Sequence, residues 1–190
     1  MKTLFIALLA LAGTCSAALP EIKAETNGPV TPDSMAICGL KCTIKSTIYA
    51  AKKGDTKETR IIVLDDVRAG TAWRDESGGI GTRLVIHFPA KIPAEMEGQV
   101  PFYGFDLISG DHRSHELWAA ASRIKKMRFW YNGKAVCDFL LPDSYDWISA
   151  SFTDIMVRSG DQCSLEILEV YPGTTSKTLV LSELVLMGAH

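Results

Sequence analysis

The chain has 190 residues, 47% of them hydrophobic, with 20 basic and 22 acidic side chains and a formal net charge of −2. Such a balance excludes the basic footprint of a nucleic-acid binder and gives no sign of a membrane-surface protein. The length suits one domain with its own hydrophobic core.

Residues 1–18 read as a cleaved secretory signal. Met1-Lys2 supply a basic start, an apolar run follows from Leu4 to Leu11, and small residues lead to Ala17 and Ala18. Lipidation at Cys15 is the competing reading, for which Ala12-Gly13-Thr14 is a poor lead-in. No later apolar stretch is long enough for a transmembrane helix. The expected location is therefore secreted or periplasmic. Loss of the leader leaves 19 basic side chains against 22 acidic and four cysteines, Cys38, Cys42, Cys137 and Cys163. In an oxidising compartment an even count points to disulfides. The pairing favoured is Cys38 with Cys42 as a local clip and Cys137 with Cys163 as a staple between strands. A four-thiolate zinc site is the rival, weakened by the wide spacing after Cys42.

Residues 19–42, with Pro20, Gly28, Pro29 and Pro32 among charges, read as an N-terminal lead. Residues 43–188 then break into short β-type runs. Strands are expected at 61–64, 84–88, 104–108, 127–131, 134–140, 147–152, 155–157, 164–171 and 180–187. Residues 84–88 alternate, which places Leu84, Ile86 and Phe88 on one face. Asn132-Gly133 between two of the runs is a strong hairpin signal. One helix is expected, over 116–126. Many short strands without βαβ alternation predict an all-β antiparallel sandwich or jelly roll.

Three segments together carry a resemblance. The first is Leu64-Asp65-Asp66, then Thr71-Ala72-Trp73, Gly78-Gly79-Ile80-Gly81 and the strand at 84–88. The second is Ser122-Arg123-Ile124-Lys125-Lys126-Met127 leading into the Asn132-Gly133 hairpin. The third is Leu168-Glu169-Val170-Tyr171-Pro172-Gly173, then Leu181-Ser182-Glu183-Leu184 and Gly188. In that order and spacing the chain resembles the NADase-type glycan-binding domain, a discoidin-like (F5/8 type C-like) jelly roll. The resemblance spans about residues 43–188. It implies a sandwich of about eight antiparallel strands whose end loops bind carbohydrate, with no glycohydrolase activity and no cofactor. It also implies a weak calcium site, because Asp66, Thr71 and Glu183 match three positions at which related modules hold that ion. Calcium wants several oxygen ligands, and the second loop carboxylate falls near Arg68 here. The expectation is that the Arg68 guanidinium replaces the metal.

The most chemically loaded stretch is residues 111–118. Sugar recognition pairs an apolar ring face with planar polar groups for hydroxyls. Trp118 is the candidate for the first, and Asp111, His112, Arg113 and Glu116 for the second, with Tyr145 as a further aromatic platform. The plainer reading is a solvated loop whose Trp118 caps the core. A metal role for His112 and His115 has the wrong spacing for one helical face. Trp147 is expected to point inward, and at least one of Phe129 and Trp130 to lie in the core. Gly78-Gly79-Ile80-Gly81 lacks the strand–turn–helix context of a phosphate cradle and reads as a turn. No Gly-x-Ser-x-Gly elbow is present, and nothing sets two carboxylates across a cleft, so no enzyme is expected. The function expected is an exported glycan-binding module, with a protein-docking envelope domain as the alternative.

Overall fold

A computed structural model describes residues 18–26, 42–49, 56–62, 71–92 and 96–188. The leader, Cys38, Asp66 and Arg68 lie outside the described residues. Twelve strands and one helix are seen in the described part: β1 (Glu21–Lys23), β2 (Glu25–Thr26), β3 (Thr43–Tyr49), β4 (Thr56–Ile62), β5 (Trp73–Asp75), β6 (Arg83–His87), β7 (Gln99–Ser109), α1 (His115–Ala120), β8 (Arg123–Tyr131), β9 (Lys134–Leu140), β10 (Ile148–Arg158), β11 (Gln162–Tyr171) and β12 (Leu179–Gly188). They form a seven-stranded sheet, β1-β9-β8-β11-β6-β3-β4, facing a five-stranded one, β2-β10-β7-β12-β5. This is the expected jelly-roll β-sandwich, widened by the short strands β1, β2 and β5. Among the described residues every ladder but one is antiparallel; β1 lies parallel to β9.

Local chemistry explains the elements. In β6 the alternation buries Leu84 and Ile86, and Phe88 just beyond is buried too. Asn132 and Gly133 both have positive φ, 46° and 77°, which closes a tight turn between β8 and β9. Six phenylalanines meet between the sheets, Phe88 among them at 5.7 Å from Phe102. Phe102 touches Phe105, Phe129 and Phe152 edge-on at 5.1–5.9 Å, and Phe105 meets Phe139 at 6.2 Å. Each such side chain contributes roughly 1.5–3 kcal/mol by burial. Phe129 takes the core position, while Trp130 faces outward, donating to Glu166 at 2.9 Å with the Arg83 guanidinium over its ring. Trp147 is buried in a smaller cluster with Ile108 and Val185.

The structure departs from expectation in five places, the first being β3, a seven-residue strand at Thr43–Tyr49 where none was expected. Residues 21–26, read as part of a lead, add an edge strand to each sheet. The runs 147–152 and 155–157 are one strand, β10, whose register against β7 shifts between Ser151 and Ile155. The helix is six residues, not eleven. Ala121 is already extended, and from Arg123 the chain pairs with β11 and β9, burying Ile124, Met127 and Phe129. That burial outweighs the helical propensity of Lys125-Lys126. Finally, Cys137 and Cys163 are free thiols. Cys137 sits opposite Phe129 and Cys163 opposite Tyr131, so β8 runs between them. Two inter-strand spacings, about 9.5 Å, exceed the roughly 4.4–6.8 Å a disulfide spans. Burial pushes the Cys137 thiol up to about 12 and raises Cys163 as well. Cys42 packs against the core at the start of β3.

Candidate functional site

The site is built where β7 runs out. Gly110 has φ +108°, and a Cβ there would lie 2.3 Å from Trp118 Cδ1, so only glycine lets the chain turn this close to the indole. Its N–H donates to the Val180 carbonyl at 2.8 Å, which ties the turn to β12. Asp111 follows with its side chain buried. Its carboxylate accepts a two-pronged bond from Arg113 (Nε to Oδ1 2.8 Å, Nη2 to Oδ2 2.7 Å) and a third from Arg74 Nη2 to Oδ2 at 2.8 Å. The Arg113 bonds chiefly hold this carboxyl well below the usual carboxylate range.

Arg74 is the middle residue of β5. Its neighbour Asp75 turns inward and fixes the next turn, accepting from Ser77 N and Oγ at 2.8 and 2.6 Å and from Thr82 Oγ1 at 2.6 Å. The turn contains Gly78, Gly79 and Gly81, all with positive φ, and delivers the chain into β6, as expected of that motif. Arg74 and Glu76, on either side of Asp75, are thereby left exposed.

Beyond Asp111 the loop is locked by side chains. His112 donates from its backbone N–H to Ser182 Oγ at 3.1 Å, and its carbonyl accepts from the Tyr145 hydroxyl at 3.0 Å. The His112 and His115 rings stack on Tyr145 with centroids 4.3 and 3.8 Å away. Two rings that close to one centroid overlap if they share a face, so the imidazoles sandwich the phenol. Burial lowers the pKa of His112, opposed by Asp146. Trp118 donates from Nε1 to the Ser109 carbonyl at 3.0 Å and meets Tyr145 edge-on at 6.0 Å. The Arg123 guanidinium lies 4.3 Å from the indole centroid. Arg123 also holds Asp143 through Nε (2.6 Å) and Nη2 (3.1 Å) and the carbonyls of Trp118 and Ala121 through Nη1.

A cleft of about 260 Å³ opens beside α1. Arg74, Glu76, Asp111 and Arg113 supply its polar side. Leu117 and Ala120 of α1 supply an apolar one, and the chain entering β12 at Ser176, Thr178 and Val180 closes it. That last wall is pinned to the helix end, with Thr174 N–H on the Ala119 carbonyl and Ser176 N–H on the Ala120 carbonyl, both 2.9 Å.

Of the six residues expected to bind ligand, Asp111 and Arg113 line this cleft. Trp118, Tyr145 and His112 form the packed cluster beside it, and Glu116 is an exposed residue of the first helical turn. Both imidazoles stack on the Tyr145 ring that was expected to be a platform. Trp118 is half-buried, its indole bonded to the Ser109 carbonyl and faced by the Arg123 guanidinium. Sequence reasoning missed Arg74, Glu76 and Leu117; the charged run Arg74-Asp75-Glu76 before the glycine turn was the available signal. Thr71 is exposed just before β5, and Glu183 is buried on β12. Among the described residues no three His, Cys, Asp or Glu side chains are grouped to hold a metal ion. No described helix is long and apolar enough to cross a membrane.

Comparison with a family model agrees with the architecture. No curated protein matches the chain. Among solved structures, CpGH89CBM32-5 from Clostridium perfringens, in complex with GalNAc-beta-1,3-galactose, is similar at 15% identity with a TM-score of 0.46, over 78% of this chain and 94% of that one. The family model described as NAD glycohydrolase translocation F5/8 type C domain matches residues 37–187. The chain belongs to that family, the one its three sequence segments resemble.

Proposed function

We propose that the chain is an exported, non-catalytic glycan-binding module and that the cleft beside α1 is its binding face. The observation that carries this reading is the pair of guanidinium groups, Arg74 and Arg113, fixed by one buried carboxylate beside an apolar wall. Planar donors already held in place read sugar hydroxyls with little loss of side-chain freedom. Leu117, 39% exposed, offers an apolar surface to a sugar's C–H face. The rings nearby serve a different purpose, holding residues 111–118 rigid. Asp111, ionised at neutral pH with both oxygens accepting hydrogen bonds, is no general acid, which supports binding without turnover.

The test is a glycan screen of the folded protein, followed by titration of any hit against Arg113→Ala and Leu117→Ala. Saturable binding weakened at least about tenfold by each substitution, roughly 1.4 kcal/mol, is the expected result. Silence from the folded protein across neutral and acidic glycans overturns the reading and leaves protein docking as the role.

A further inference from the structure

The charges of the Arg74, Asp111 and Arg113 trio do not cancel, although Glu76 across the same cleft brings its lining as a whole to neutrality. One carboxylate serves two guanidiniums, so the Arg74, Asp111 and Arg113 trio carries one net positive charge. Asp111 is buried, with its side chain 3% exposed, whereas those of Arg74 and Arg113 are 41% and 46% exposed. The two guanidiniums therefore face solvent and the cleft, while the carboxylate they share does not.

Hydrogen-bond capacity points the same way. Asp111 takes Nε and Nη2 of Arg113 and Nη2 of Arg74. Nη1 of Arg113, and Nε and Nη1 of Arg74, have no protein acceptor among the described residues. Because both Nη2 atoms bond the same oxygen, Oδ2, the two forks lie within two hydrogen-bond lengths of each other. Adjacent planar forks with donors to spare match a carboxylate, whose two oxygens take parallel N–H bonds. Glu76 lines the same cleft and is exposed. It accepts from a hydroxyl and repels a second negative charge.

We propose that the cleft selects a saccharide carrying a single carboxylate per residue, a hexuronate or sialic-type sugar, over neutral or densely anionic glycans. The ligand carboxylate sits on Arg74 and Arg113, a ring hydroxyl donates to Glu76, and the sugar's apolar face lies on Leu117. This rests on the cleft being the glycan site.

The experiment is isothermal titration of the whole protein with oligogalacturonate, its neutral oligogalactose counterpart, a sulfated galactan and inorganic phosphate, at about 20 and 200 mM salt. Expected are binding of the uronate at least about tenfold tighter than of the neutral oligomer, weakening at high salt, and loss of that preference in Arg74→Gln and Arg113→Gln. Glu76→Gln is expected to improve the sulfated ligand relative to the uronate. Arg74→Lys, which keeps charge but loses the fork, tests geometry with the fold undisturbed and is expected to retain only part of the preference. Equal affinity for acidic and neutral sugars, both weakened by Arg113→Gln, overturns the acid selectivity and leaves the glycan site standing. Phosphate binding as tightly as the uronate overturns it in favour of a plain anion site. Absence of binding to either sugar overturns the underlying glycan reading as well.

Discussion

Asp111 joins two roles, as it anchors the loop and orients the cleft's donors. Its folded pKa lies below the ordinary carboxylate value, so its stabilisation is complete above that ordinary value and is lost as pH falls through the folded one. Asp111→Asn is therefore expected to cost about 1–2 kcal/mol at pH 7, discounted because both guanidiniums are half exposed. The gap to the parent protein should narrow steadily as the pH falls below the ordinary carboxylate range. Urea midpoints measured at pH 7 and across the acid range check this; a constant gap defeats it. Asp111 and Arg113 were legible in the sequence because their chemistry lies within three residues. Arg74 was not, because it reaches Asp111 only through β12, which pairs with both β5 and β7. Tyr145 looked like a platform because a loop aromatic gives the same signal whether its faces are bare or covered.

At the scale of elements, the cleft depends on the chain between β11 and β12 lying flat against the end of α1. Gly173 makes that approach possible. A Cβ there would stand 2.2 Å from the Ala120 carbonyl oxygen, 2.5 Å from that of Ser176 and 2.6 Å from Ala121 C, all of them backbone atoms. Gly173→Ala is expected to destabilise by about 1–3 kcal/mol and, by displacing residues 176–178, to weaken ligand binding. Gly104→Ala is the control. Its Cβ would meet the Ala150 carbonyl oxygen at 2.4 Å, between β7 and β10 and away from the cleft. Melting curves should fall for both, whereas binding at a temperature where both are folded should fall only for Gly173→Ala. Elements of this size were visible in the sequence where a period or a turn marked them, as in β6 and the hairpin at Asn132. A two- or three-residue strand has no period, which is why β1 and β2 were not foreseen. The helix was overdrawn because Lys125-Lys126 favour helix locally while Ile124, Met127 and Phe129 are claimed by the sheet.

For the whole molecule, the sandwich is held by non-local pairing, and its two sheets are joined along one side by the same short strip of chain. Residues 21–23 lie on β9 of the larger sheet and residues 25–26 on β10 of the smaller, with Ala24 N–H on the Leu140 carbonyl at 2.9 Å between them. Lys126 adds a 2.7 Å ion pair to Glu21. β9 and β10 would otherwise each end a sheet with unpaired amides and carbonyls. The register shift in β10 between Ser151 and Ile155 roughens the rest of that margin. A strand margin left bare is a template for another chain. Six residues that read as part of an N-terminal lead thus act as a guard against polymerisation: a form beginning after Thr26 should keep its core yet scatter more light with rising concentration, as copies recruit one another through β9 and β10.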